Sequence, residues 1–285
     1  MGTRLATHLR EAAARQVPLW VDAWAYGTRV LRKGKAAPWE DLGELVAFHR
    51  QLQGLVRSDI VTINAADFYR HWLDSHPALL TAMAEKRRLG YALRTLLADD
   101  AARKQMREVV GALYDCYPEQ PVALALPSPR AWMATAHGRA HALDDIPVSW
   151  DDAESAAMYM ADFLRNFSDC GLSGLLLVDA PADGPACDAD LERYRPVINV
   201  VEHYRWQLAL LGTASGFCPA TENTAIYTID ELSTKPAGAT LDQRFWSTGE
   251  LPGETRPLFW YAEVPEDAVP ELVLERLETL RKKAI

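Results

Sequence analysis

Between Ser149 and Asp179 the sequence writes out a helix and then a strand with no polar face. Apolar residues at 153, 156, 157, 160, 163, 164 and 167 recur at helical spacing. Ser149 is suited to cap that helix, with Asp152 three residues on, and Gly171 supplies its stop. The run Gly174-Leu-Leu-Leu-Val-Asp179 then offers apolar side chains to both faces of a strand. Such a strand is stable only when covered on both sides, which is the condition of a parallel sheet. Pro121-Val-Ala-Leu-Ala-Leu126 is a second buried strand ahead of the helix. Parallel neighbours need a crossover connection, so this strand–helix–strand unit sets the class as α/β.

The remaining elements follow the same alternation. Further strands are expected at 18–24, 59–64, 206–212, 225–230 and 257–263, giving seven, with the eighth inside 236–250. Helices are expected at 4–16, at 39–56, from about Asp188 to Tyr204 with Pro196 starting or kinking it, and from Pro270 to the end. From Tyr69 to Tyr117 the pattern is helical throughout. The expectation is therefore one domain over 1–285, a (β/α)8 TIM-type barrel, with 69–118 as a helical insertion over or beside the barrel mouth. A barrel of this kind needs about 250 residues, and the chain has 285.

A formal net charge of −9 opposes binding to nucleic acid or to an anionic membrane surface. No apolar stretch approaches the roughly 18 residues of a bilayer span, and the segment from Met1 to Val17 lacks an export core. Cys116, Cys170, Cys187 and Cys218 show no C-x-x-C pairing and read as reduced thiols. The chain is expected to be cytoplasmic, with a homodimer left open.

Three stretches resemble the barrel superfamily of uroporphyrinogen decarboxylase and the catalytic domain of cobalamin-independent methionine synthase. They are Pro121-Val-Ala-Leu-Ala-Leu-Pro-Ser-Pro-Arg-Ala-Trp132; Cys170-Gly-Leu followed by Leu175-Leu-Leu-Val-Asp-Ala-Pro181; and Phe259-Trp-Tyr-Ala-Glu-Val-Pro-Glu-Asp-Ala-Val-Pro270. The resemblance covers about half the chain and implies the barrel; its motifs belong to the fold and name no reaction. The methionine synthase branch holds zinc through a His-x-Cys after the fifth strand, a Glu and a late Cys. Here those places read Leu211-Gly-Thr-Ala-Ser215 and Ala262-Glu-Val-Pro265. The thiolate zinc motif is absent.

In a barrel, chemistry sits at the C-terminal strand ends. That rule selects Asp22, Asp179 and Asp230 as catalytic candidates, and Trp24, Asn64, Asp67, Arg130, Trp132 and Glu263 for substrate binding. Each acidic residue has a plain alternative as a helix cap. Arg130, aimed by Pro127-Ser-Pro129, suits a substrate carboxylate; its alternative is an ion pair to a nearby Asp. His137 and His141 have the i, i+4 spacing of metal ligands, but Gly138 weakens a helix there and a mobile loop is expected. His203, Cys218 and Glu222 match no metal spacing, and Lys235 reads as a solvated loop residue rather than a Schiff-base lysine. The expected function is decarboxylation or a related C–C lyase step on a small anionic, carboxylated substrate, planar in one form of the reading, without an organic cofactor or metal. The alternatives are a methyltransferase with an altered zinc site and a non-catalytic binding or partner subunit.

Overall fold

A computed structural model describes residues 3–179, 191–212, 227–230 (backbone), 238–251 and 256–283. Its eight strands are β1 Leu19–Asp22, β2 Val61–Asn64, β3 Val122–Pro127, β4 Gly174–Val178, β5 Gln207–Leu211, β6 Tyr227–Asp230, β7 Gly238–Leu241 and β8 Phe259–Glu263. All pairings are parallel, in the order β1-β8-β7-β6-β5-β4-β3-β2. Helices alternate with the strands along the chain, so the protein is α/β.

The helices are α1 Arg4–Ala13, α2 Trp24–Arg32, α3 Leu42–Val56, α4 Ala65–Ser75, α5 Pro77–Met83, α6 Leu89–Leu97, α7 Asp100–Cys116, α8 Pro129–His141, α9 Trp150–Leu164, α10 Arg195–Tyr204, α11 Gln243–Thr248 and α12 Pro270–Lys283. Asp41, Asn64, Asp99, Ser128, Ser149 and Asp242 each accept a hydrogen bond from an amide in the first turn of the helix they precede. Pro196 lies in the first turn of α10, where its missing N–H costs nothing. The stretch from Tyr69 to Tyr117 holds no strand, and α4 and α7 pack beside the sheet against β3.

Two expectations are corrected. The first strand stops at Asp22, and α2 follows at once, burying Trp24, Tyr26 and Gly27; its nine residues are too few for a clear helical period. His137 and His141 lie on α8 rather than in a loop. Gly138 serves close packing there, since a Cβ would sit 2.6 Å from the carbonyl oxygen of Leu143.

Strand residues alternate between two separate apolar clusters, as a period of two requires. Leu19, Val21, Val61, Ile63, Leu124, Leu175, Leu177, Leu208 and Leu210 face the larger one, together with the helices from α2 onward. Trp20, Ala123, Ala125, Leu176, Ala209, Phe259 and Tyr261 face the other, joined by Leu5, Ala6 and Leu9 of α1. Leu5 and Leu9 are wholly buried, so α1 covers the N-terminal side of this second cluster. Among the described residues no helix is long and apolar enough to cross a membrane.

Candidate functional site

At the C-terminal strand ends a cavity of about 300 Å³ is walled by Asp22, Asn64, Ala125, Pro127, Val178 and Asp179, among others. It brings together residues more than 150 positions apart because parallel strands end at one edge. The register pairs Asp22 with Glu263 and Asn64 with Ala125, and Asp179 follows the last residue of β4.

Asp22 is the most perturbed acid at this edge. Burial pushes its carboxyl from 3.8 up to about 6, and the Glu263 charge adds to the rise. The Trp24 amide, which donates to Asp22 Oδ1 at 3.2 Å, and the Asn64 side chain act the other way without cancelling it. Asn64 has two duties. Its Oδ1 accepts from the Asp67 amide at 3.1 Å, capping α4, which leaves its NH2 group to serve Asp22. Tyr261, buried on the same strand face as Glu263, is held well above the ordinary phenol value by burial and by the Asp22 and Glu263 charges.

Across the cavity, Asp179 sits in a fixed polar cluster. Its Oδ1 accepts from the Ser128 hydroxyl at 2.5 Å, and its Oδ2 meets the Arg130 guanidinium at 3.2 Å. Arg130 and Asp179 side chains are each 4% exposed, and Arg130 also lies 4.5 Å from the ring centre of Trp150. The pairing fits the ion-pair alternative for Arg130. A substrate carboxylate at Arg130 would have to displace Asp179 from a buried site, where breaking a pair costs about 3–5 kcal/mol. Tyr194 packs against the group, its phenol raised by burial and by Asp179.

The other expected residues scatter. Trp24 stacks on Trp39 at 4.8 Å and donates to the Thr62 carbonyl at 3.0 Å, so it belongs to the core behind the rim. Asp67 pairs with Arg70 and lines a neighbouring cavity of about 310 Å³ with Trp24 and Trp39. Trp132 is buried between helices against Tyr69 and Phe163. Glu263 is exposed at the end of β8. The side chain of Asp230 lies outside the described residues, as do Thr213, Ser215, Cys187, Cys218, Glu222 and Lys235. Tyr261, Tyr194 and Trp150 were not foreseen; the alternation Tyr261–Glu263 within β8 was a readable sign for the first alone.

His137 and His141 stand 4.5 Å apart, ring centre to ring centre, on α8. Among the described residues no group of three His, Cys, Asp or Glu side chains is placed to hold a metal ion.

No protein-family model and no curated protein matches the chain. A solved chain from a "Structural study of Project ID from Aquifex aeolicus VF5" is similar at 13% identity, with a TM-score of 0.43, over 99% of this chain and 96% of that one. At that level the likeness carries no functional argument.

Proposed function

We propose that the protein is a (β/α)8-barrel enzyme that transfers a proton between Asp22 and a small substrate, in a decarboxylation or related C–C lyase step. Closure of the sheet is supported by the contacts between its two end strands. The Trp20 indole donates to Thr62 Oγ1 at 2.7 Å, and the Val21 amide donates to Ser58 Oγ at 2.9 Å. The Leu19 amide donates to Asp59 Oδ2 at 2.7 Å, and the Asp59 amide to the Leu19 carbonyl at 2.8 Å. An inner cluster covered from one side by α1 is the packing that a closed barrel has.

One observation carries the chemistry: Asp22, raised to about 6, faces a cavity at the strand ends. A carboxyl titrating near neutrality can give up and recover a proton within one turnover. In a decarboxylation, the bond to the leaving carboxylate breaks and its electron pair stays on the substrate carbon. That carbon takes the proton of Asp22, which is restored from water. Asp179, fixed by Ser128 and Arg130, offers a carboxylate that does not reorient, and Arg130 becomes its positioning residue.

The test is carbon dioxide release from a panel of small aromatic and 2-oxo carboxylic acids. Asp22→Asn should lower kcat by about a hundredfold or more, and the wild-type profile should fall as pH rises through about 6. Equal turnover by the variant would remove Asp22 from the mechanism.

A further inference from the structure

A second cavity of about 340 Å³ shares Ala66 and Pro127 with the walls of the Asp22 cavity. Its remaining surface differs in character. Tyr69, Leu73, Leu96 and Trp132 make it apolar, while Arg70 and Arg139 stand at its solvent side, their side chains 66% and 48% exposed. An apolar chamber with a few polar groups at its margins is the usual form of a small-molecule site.

We infer that this chamber holds the apolar part of the substrate, with a second acidic group at Arg70 and Arg139. The inference rests on the reading of Asp22 given above and adds a substrate class to it: an aryl or arylalkyl dicarboxylic acid, whose reacting carboxyl end lies at Asp22 and whose second acid group is the one held by the arginines. Trp132 and Tyr69 pack edge to face, ring centres 5.6 Å apart, and give the chamber an aromatic wall. The arginines are paired with Asp67 and Asp74, but these are solvent-exposed pairs of small worth, so an incoming carboxylate can compete for the guanidinium groups. This arrangement moves recognition of the substrate's acid away from Arg130, which Asp179 already occupies.

The test is calorimetric titration of the intact protein with phenylbutyrate and with its uncharged analogue phenylbutanol. Phenylbutyrate should bind saturably and more tightly than the alcohol. The double variant Arg70→Gln/Arg139→Gln should weaken the acid about tenfold or more while leaving the alcohol unchanged. Thr135→Trp should weaken both, because Thr135 lines the chamber yet is exposed on α8, where a larger side chain leaves folding intact. Asp22→Asn should bind both probes as the wild type does, so lost turnover with retained binding concerns Asp22 alone. No saturable binding of either probe, or full binding by Thr135→Trp, would overturn the chamber. Equal binding of acid and alcohol by the wild type would overturn the acidic end group.

Discussion

A carboxyl group that folding raises from 3.8 to about 6 binds its proton more tightly in the folded protein than in the unfolded chain. For Asp22 the resulting stabilisation is therefore present in acid and lost as pH rises through about 6. Above that pH the ionised group burdens the fold by up to about 3 kcal/mol, at 1.36 kcal/mol per pH unit. Asp22→Asn should consequently raise Tm at pH 8 and leave it nearly unchanged at pH 4, measured by thermal melts at both. A variant as unstable as wild type at pH 8 would mean that Asp22 is not desolvated. His49 behaves with the opposite sign. Burial lowers its imidazole from 6.5 to about 4, while its Nδ1 meets the Tyr117 hydroxyl at 2.9 Å. The unfolded chain takes up that proton first, so stability is full above about 6.5 and falls as pH drops toward 4. His49→Gln should flatten this acid limb in urea titrations between pH 7 and 4, even if it lowers stability at pH 7.

At the scale of the element, caps and stops were the most readable features. Ser149 accepts from the Asp152 amide, as its spacing from the apolar series predicted. Gly171 has φ +76°, and a Cβ there would lie 2.4 Å from the Tyr114 ring. Gly171→Ala should destabilise by about 1–3 kcal/mol from backbone strain alone, more with the clash, read as a lower urea midpoint at unchanged slope. The short helix α2 escaped sequence reading because nine residues show no clear period, and the helical state of His137–His141 because Gly138 is explained only by what packs against it, the Leu143 carbonyl. Local propensity sees only a glycine.

At the scale of the whole molecule, the two end strands of the ladder depend on Ser58. Its side chain, 2% exposed, accepts from the Val21 amide and donates toward the Ile60 carbonyl at 2.7 Å. Ser58→Ala leaves the Val21 amide buried without that partner, a loss of about 1–3 kcal/mol. The same change should speed hydrogen exchange at Val21 more than at amides of β5, a strand in the middle of the ladder. Equal protection in variant and wild type would argue against a closed ring. The parallel order of eight strands was foreseen from their spacing and apolar character. Which strand ends share a cavity was foreseen for Asp22, Asn64 and Asp179, but not for Trp24 or Trp132. A large aromatic at a strand end reads alike whether it faces the rim or the helical layer.

The sequence by itself determined where chain segments become strands and helices, because periodicity, capping residues and glycine stops act over a few neighbouring positions. It also determined that the sheet is parallel, since a strand apolar on both faces must be covered on both. Only the tertiary structure decided what each polar side chain does. Arg130 was legible as an arginine at a strand mouth with two possible partners, and its assignment to Asp179 turned on residues 49 positions apart folding to a 3.2 Å contact. The raised carboxyl of Asp22 likewise comes from desolvation by strands far apart in the chain, and burial is a property of the assembled molecule rather than of any segment.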